Sequence, residues 1–95
     1  MKYYLYIIKT VFDTLYCGIT NDLKKRYNLH LEGKGAKYTK SHKPASIVYV
    51  DILDDKSLAS KEEYRIKKTL KRAQKLELIE KNKEKTKKIL EEIIN

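Results

Sequence analysis

The sequence is short of the residues that stabilise small proteins by cross-links. Its 95 residues contain one cysteine, one proline and three glycines. The single cysteine, Cys17, cannot form an internal disulfide, and no group of Cys and His has the spacing of a structural zinc site. We therefore expect a reducing, cytoplasmic environment and a fold that depends on its hydrophobic core.

Long hydrophobic runs are also absent. The apolar stretch from Tyr3 to Ile8 ends at Lys9, which is far too short for a membrane span or a signal peptide. A chain of this length has room for one domain and excludes a large multidomain enzyme. With 41% hydrophobic residues it still has enough apolar material to fold, so we expect one soluble domain.

Positive charge is what the sequence has in excess. Lysine and arginine number 22 against 13 aspartate and glutamate, which gives a formal net charge of +9. The basic residues concentrate within 23–43 and again within 61–75. Such concentrations predict binding to a polyanion, of which nucleic acid is the commonest in a cytosol, whereas a solvated lysine-rich surface is the simpler alternative.

Three short segments have the composition of β-strands. The aromatic and β-branched runs at 3–9 and 14–19 predict a β-hairpin, and 46–52 predicts a third strand. Between the hairpin and the third strand, residues 33–44 contain two of the three glycines and the only proline. This composition predicts a mobile basic loop without regular structure.

The first predicted helix follows the hairpin. Thr20 or Asn21 can cap its beginning, and Gly33 is expected to end it in the left-handed conformation. Arg26 and His30 lie four residues apart on this helix, so they share a face and can point at one site.

Two further helices are predicted over about 58–70 and 73–79. Ser57 or Ser60 can begin the first of them, and Ser60 with Glu63 matches the Ser-x-x-Glu capping box, which offers Glu63 a purely structural role.

The end of the chain is predicted to be an amphipathic helix. Its apolar stripe consists of Ile89, Leu90, Ile93 and Ile94. We expect this stripe to pack on the domain. Self-association, a protein partner or a membrane surface are the alternatives.

Four short motifs occur in order along the first 40 residues. They read Tyr4-Leu5-Tyr6, Tyr16-Cys17-Gly18, Asp22-Leu23-Lys24-Lys25-Arg26 with His30, and Gly33-Lys34-Gly35-Ala36-Lys37-Tyr38-Thr39. In this combination the sequence resembles the GIY-YIG nuclease domain, and most of all the small stand-alone bacterial proteins of that superfamily. The resemblance covers about residues 3–80.

The resemblance implies a fold as well as an activity. The fold is α+β, with a three-stranded antiparallel sheet flanked by helices, to which the C-terminal amphipathic helix is added. We accordingly divide the chain into a GIY-YIG-like domain, 1–80, and a helical C-terminal extension, 81–95. The implied activity is endonuclease hydrolysis of DNA phosphodiester bonds with one Mg²⁺ or Mn²⁺.

Site residues are carried over from the resemblance position by position. The implied catalytic set is Tyr6, Tyr16, Arg26, His30 and Glu63. A tyrosine would help to activate water, the arginine would hold phosphate charge, the histidine would lie near the scissile phosphate and Glu63 would bind the metal. Nucleic-acid contacts are expected at Lys34, Lys37, Tyr38, Lys40 and Lys43.

The chemistry of these residue types is compatible with the implied roles. The planar guanidinium of Arg26 suits a phosphate, and Glu63, or Glu62 as the alternative ligand, suits a Mg²⁺ that keeps several waters. A tyrosine has an ordinary pKa of about 10. Tyr6 can therefore act as a base only if Arg26, nearby lysines and a metal lower that pKa.

Two positions depart from the motifs. Tyr4 stands where the first motif has glycine, and Cys17 where the second has isoleucine. Because a single domain has no second domain to select a target sequence, we expect cleavage to be structure-directed or dependent on a partner. The alternative is a non-catalytic nucleic-acid-binding module on the same scaffold. The residues themselves do not distinguish DNA from RNA, and the resemblance favours DNA.

Overall fold

A three-stranded antiparallel sheet forms the centre of the computed structural model, which describes residues 1–93. The elements in chain order are β1 Tyr3–Thr10, β2 Leu15–Thr20, α1 Leu23–Leu31, α2 Lys37–Ser41, β3 Pro44–Leu53, α3 Lys56–Thr69, α4 Arg72–Lys81 and α5 Lys83–Ile93. The strand order is β2-β1-β3, and both pairings are antiparallel. The predicted α+β fold is confirmed. No helix within 1–93 is long and apolar enough to cross a lipid bilayer.

Both faces of the sheet are covered by helices. Successive side chains of a strand point to opposite faces, and one face of β1 packs toward α3 in a core of Leu5, Ile7, Cys17, Tyr49 and Ile66. The other face packs toward α1 and α5 in a core of Tyr6, Ile8, Leu23, Val50 and Ile89. A strand buried on both faces reads as a continuous apolar run, which explains the sequence of β1.

The hairpin turn between β1 and β2 is held by one side chain. The hydroxyl of Thr10 accepts hydrogen bonds from the backbone N–H groups of Phe12 and Thr14, each at 3.3 Å. Asp13 has a φ of 60°, a left-handed conformation that aspartate tolerates better than most residues. The predicted β-hairpin is confirmed, with a defined turn.

The beginning of α1 differs from the sequence-based expectation. Asp22, rather than Thr20 or Asn21, is the N-cap, and its side chain accepts a hydrogen bond of 3.1 Å from the backbone N–H of Lys25. The predicted end of the helix is confirmed, since Gly33 has a φ of 77°. A carboxylate at the N-cap also interacts favourably with the helix dipole.

The predicted capping box of α3 is wrong. The helix begins at Lys56, because the side chain of Asp55 accepts a hydrogen bond of 2.9 Å from the backbone N–H of Leu58. Ser60 therefore lies inside the helix, and Glu63 has no capping role. This correction leaves the carboxylate of Glu63 available for other interactions.

The prediction that 33–44 lacks regular structure is also wrong. The segment contains α2, and its last residue, Pro44, begins β3. The side chain of Thr39 is buried and bonded to His30, which lies nine residues earlier in the chain. Such an anchor depends on tertiary structure and could not be deduced from the glycine and proline content.

The C-terminal helix α5 packs on the sheet. The buried hydroxyl of Thr86 accepts a hydrogen bond of 3.1 Å from the backbone N–H of Val50 on β3. Ile89, Leu90 and Ile93 belong to the core on this face, whereas Ile94 lies outside the described residues. The apolar stripe is thus used within the chain. The division of the chain at residue 80 stays a prediction.

We expect Thr86→Val to lower the free energy of unfolding by about 1–3 kcal/mol, because the buried N–H of Val50 loses its acceptor at nearly constant side-chain volume. Urea denaturation followed by circular dichroism measures the change. Thr86→Ser keeps the hydroxyl and is the matched control, which should lose less. Equal stability of the valine variant and the wild type would contradict the assignment.

Candidate functional site

Three aromatic side chains of the predicted site meet on the α1 face of the sheet. The ring centroids of Tyr6 and Tyr16 are 6.4 Å apart, and His30 lies 5.7 Å from the first and 5.3 Å from the second. Strand pairing explains this, since Tyr6 is opposite Gly18 on β2 and Tyr16 is two residues away on the same face. His30 reaches them from the end of α1.

A chain of hydrogen bonds connects this cluster to α2. The hydroxyl of Tyr6 lies 2.8 Å from Nε2 of His30, and Nδ1 of His30 lies 2.7 Å from the hydroxyl of Thr39. Thr39 donates its own proton to the carbonyl of Ala36 at 3.2 Å. It must therefore accept from Nδ1–H, which leaves Nε2 of the neutral imidazole as the acceptor for Tyr6.

Two glycines of the sequence motifs make room for this network. A Cβ atom on Gly18 would lie 2.5 Å from the hydroxyl of Tyr6, and one on Gly35 would clash with Nδ1 and the backbone nitrogen of His30. Both rings are almost fully buried, so neither can move aside easily. The glycines at these positions are needed for close packing against the hydrogen-bonded pair.

Burial dominates the protonation of the pair. It raises the pKa of the Tyr6 hydroxyl to about 12, although the guanidinium of Arg26 beside it acts in the opposite direction. Burial, with a smaller contribution from Arg26, lowers the pKa of His30 to about 4. In the protein alone, burial therefore outweighs the lowering effect of Arg26 on the pKa of Tyr6. Tyr6 is 1% exposed, whereas Tyr16 is partly open to solvent.

Arg26 has an unused hydrogen-bond donor. Its Nε atom is buried and has no partner among residues 1–93. Its side chain lines a cavity of about 250 Å³ at the end of β2 together with Tyr3, Ile19, Thr20, Asn21 and Lys56. A second cation thus lies at the same cavity. A buried N–H without an acceptor is costly, so an anion that brought an acceptor oxygen to Nε would be bound favourably.

Glu63 faces β2 from α3 and is linked to the tyrosine cluster by Lys67. The carboxylate of Glu63 lies 3.3 Å from Nζ of Lys67, and this ammonium group lies 5.7 Å from the ring centroid of Tyr16. The alternative ligand, Glu62, is instead engaged by the guanidinium of Arg65. Of the two carboxylates, Glu63 is the one linked through Lys67 to Tyr16, although α3 packs on the face of the sheet opposite Tyr6 and His30.

The protein offers few donor atoms for a metal ion, so most of the ion's ligands would have to be water or substrate oxygens. Within the described part of the chain, no three side chains of His, Cys, Asp or Glu converge as a metal site. Glu63 is a hard oxygen donor, and Mg²⁺ is commonly held by one or two carboxylates with waters and substrate phosphates. The residues therefore fit a divalent metal whose coordination is completed by water and substrate oxygens. In the structure the carboxylate of Glu63 is paired with Lys67 instead.

The predicted nucleic-acid contacts comprise one aromatic residue of the cluster and four exposed lysines. Tyr38 stacks on Tyr16, with ring centroids 5.9 Å apart and an interplanar angle of 17°, and donates a 2.7 Å hydrogen bond to Thr14. The basic residues of the same segment are all exposed, namely Lys34, Lys37, Lys40 and Lys43. Tyr38 thus belongs to the cluster itself, and the lysines are close to it in the sequence and open to solvent.

Several residues of the site were not deduced from the sequence. Thr39 was noticed only as part of a motif, and its bond to His30 sets the tautomer of the ring. Lys67 is four residues after Glu63, a spacing that predicts an ion pair on a helix. Lys56 gives no local signal, since its place beside Arg26 depends on how α3 packs across β2.

Cys17 behaves as a buried apolar residue. It belongs to the core on the α3 face, and burial, with Glu63 adding to it, raises the pKa of its thiol to about 12. The thiolate form is therefore negligible at neutral pH, and the side chain takes no part in the site on the opposite face of the sheet.

The fold and the order of the sequence motifs agree with a domain of a nuclease family. The family model for the GIY-YIG catalytic domain matches residues 2–89, so the chain belongs to the GIY-YIG family. Membership implies an interaction with nucleic acid, and nucleases of this family generally use divalent metals. The fold and the family expected from the sequence are confirmed.

The chain is also similar to bacterial proteins of its own size. It is 47% identical over 78 residues to a UPF0213 protein of Staphylococcus saprophyticus, covering 82% of this chain and 94% of that protein. A UPF0213 protein of Streptococcus pyogenes is 46% identical, with 82% and 85% covered. The solution NMR structure of a UPF0213 protein from Bacillus halodurans is 34% identical, covers 87% of both chains and superimposes with a TM-score of 0.58.

The buried neutral His30 predicts loss of stability in acid. Its pKa is about 4 in the folded protein and about 6.5 in an unfolded chain. Between these values only the unfolded state binds the proton, so the free energy of unfolding should fall as the pH is lowered from about 6.5 to about 4, by up to about 1.4 kcal/mol per pH unit.

Urea denaturation at a series of pH values measures this slope. His30→Gln should flatten it, whereas His42→Gln, at the partly exposed histidine, should leave it in place. A slope that survives in the His30 variant would assign the effect to other groups.

Proposed function

We propose that the protein is a divalent-metal-dependent phosphodiesterase that cleaves nucleic acid, with DNA as the favoured substrate. The observation that carries this proposal is Arg26, whose side chain lines a cavity together with Lys56 and whose buried Nε has no partner among residues 1–93. A phosphodiester oxygen matches both the charge and the missing acceptor, and the guanidinium can bind it without a change of protonation. The family is the second support.

The two phenols have different roles in this proposal. Tyr16, which is partly open to solvent and stacks on Tyr38, is the phenol that can bind and orient the attacking water. Tyr6 is buried and donates to His30, so it positions the cluster and does not act as the base in this conformation. Hydrolysis then forms a bond from the water oxygen to phosphorus while the ester oxygen leaves.

Phosphate binding also changes the electrostatics of His30. The positive charge of Arg26 is one cause of the low pKa of His30. An anion bound to Arg26 offsets that charge, so the imidazole becomes a better proton acceptor when substrate is present. His30 is therefore a buried residue that holds Tyr6 in place, and its protonation responds to the phosphate bound at Arg26.

Glu63 is the residue that would hold the metal. A Mg²⁺ or Mn²⁺ ion would supply charge stabilisation at the phosphoryl oxygens. Binding it requires Glu63 to release Lys67, whose ammonium group can then pair with the nucleic-acid backbone. We accordingly expect metal affinity to be low without substrate. A cytoplasmic location and structure-directed or partner-dependent cleavage belong to the same proposal.

The second candidate is a nucleic-acid-binding module without catalysis. It is favoured by the burial of Tyr6 and by its pKa of about 12, which remove one of the two phenols from contact with substrate. The exposed lysines of 34–43 would serve either function. Cleavage assays with matched variants separate the two.

Under the leading proposal, Arg26→Ala and Glu63→Gln should each lower the cleavage rate by about 10²–10³-fold, as is typical when one group that stabilises developing charge is removed. Nicked, branched, single-stranded and duplex DNA are incubated with Mg²⁺ or Mn²⁺, and products are resolved on denaturing gels. Chelation of the metal should stop the reaction.

Glu62→Gln is the matched control, because it removes a neighbouring carboxylate of the same helix that is bound to Arg65. It should retain activity. Cleavage that survives in both Arg26→Ala and Glu63→Gln would show a contaminating nuclease. Salt-sensitive binding without any metal-dependent cleavage would support the second candidate instead.

The exposed lysines of residues 34–43 predict how nucleic-acid binding depends on salt. Replacing Lys37 and Lys40 together by Gln should weaken DNA binding and reduce the magnitude of the slope of log K against log salt by about 2, because each phosphate contact contributes nearly one released counterion. Fluorescence anisotropy without divalent metal measures both quantities. The control replaces two exposed lysines of α5, Lys83 and Lys88, and should have the smaller effect.

A further inference from the structure

An aromatic ring at the tip of the hairpin has no structural role in the core. Phe12, the only phenylalanine of the chain, is 64% exposed, and its neighbour Val11 is 58% exposed. Large apolar side chains are common on protein surfaces singly. What distinguishes Phe12 is the combination of a rigid turn, an aromatic row and surrounding cations.

The turn that carries Phe12 is held from several sides. Its backbone N–H donates to the hydroxyl of Thr10, and the N–H of Val11 donates to the carbonyl of Lys43 at 2.9 Å. Asp13 forms ion pairs with Lys9 at 3.1 Å and with a second cation, Arg72 at the start of α4, at 3.3 Å. The ring is therefore presented by an ordered backbone, which lowers the entropy cost of binding.

Phe12 is the outer end of a row of aromatic rings that leads to the candidate site. Its ring meets His42 edge to face, with centroids 5.6 Å apart. His42 stacks on Tyr38 at 4.1 Å with an interplanar angle of 5°, and Tyr38 stacks on Tyr16 at 5.9 Å. These three ring-to-ring steps together span the length of a few nucleotides, because each nucleotide of a duplex strand adds about 3.4 Å.

The surroundings of the ring are cationic. Lys9 and Arg72 share the single carboxylate of Asp13, and Lys43 follows His42 directly in the chain. The side chains of Lys9 and Arg72 are each about half exposed. A hydrophobic protein partner would gain little from such a rim, whereas a flat ring among cations matches a nucleobase and its flanking phosphates.

We propose that Phe12 is a stacking platform for an unpaired nucleobase, a few nucleotides from the scissile phosphate. The inference rests on the proposed function in taking nucleic acid as the ligand, and adds the class of substrate. A base inside a duplex has both faces covered by its neighbours, so away from the duplex ends only a base in a flap, bulge or single-stranded segment can stack on Phe12. The site therefore recognises nucleic acid with an unpaired segment beside the cleavage position.

The test measures stacking directly and without cleavage. Wild-type protein is titrated in EDTA into a duplex with a short single-stranded flap that contains 2-aminopurine, and into the same length of fully paired duplex. Stacking should quench the fluorescence of the flap base. Phe12→Ala should abolish the quenching and weaken flap binding by about tenfold or more, with the affinity for the paired duplex unchanged.

Three variants make the outcome specific to the ring. Phe12→Trp should retain quenching, and Phe12→Leu should behave like Phe12→Ala, because leucine is apolar but has no flat face. Tyr64→Ala removes a ring that is 66% exposed on α3 and should leave both quantities unchanged. Wild-type affinity and quenching in Phe12→Leu, or equal losses on flap and duplex, would overturn the inference.

This experiment separates the inference from the proposed function. Loss of quenching in Phe12→Ala from a protein that cleaves nothing would support the stacking platform and reject the nuclease. Metal-dependent cleavage together with unchanged flap binding in Phe12→Ala would support the nuclease and reject the stacking platform. If the protein self-associates and Phe12→Ala abolishes that self-association, Phe12 contacts a second copy of the chain, and the inference is overturned.

Discussion

The hydrogen bonds that run from Tyr6 through His30 to Thr39 are the constraint on which the site depends. They join the central strand, the first helix and the basic segment at one buried point. The network is buried, so an unmade bond within it would cost more than a bond made elsewhere contributes. The glycines of two sequence motifs serve this packing, since Gly18 and Gly35 leave the space that the two rings occupy.

Burial and charge act against each other throughout this region, and burial is the stronger effect. Arg26 favours the ionised form of Tyr6, yet the phenol keeps its proton because its surroundings are apolar. The consequence is a neutral interior and a charged exterior, with the guanidinium at the boundary between them. The exposed phenol, Tyr16, lies on the same boundary and continues outward through stacked rings to Phe12.

Local sequence patterns are sufficient for most of the fold. The three strands lie within about two residues of their predicted bounds, and Gly33 ends α1 as its conformational freedom indicates. The differences occur where several residues can perform the same local task. Asp55 caps α3 in place of Ser60, and Thr39 anchors a segment whose glycine and proline content is typical of a loop. Which residue caps the helix or anchors the segment depends on tertiary packing, and a short stretch of sequence does not contain that information.

The same distinction holds for the site. The sequence by itself determined the residue types, their order and the family, because motif spacing and charge are properties of the chain. Tertiary structure alone decided that Tyr6 is buried, that Nε of Arg26 has no partner within residues 1–93 and that Lys67 links Glu63 to Tyr16. These properties depend on solvent exclusion and on partners from distant parts of the chain, and folding is the process that sets both.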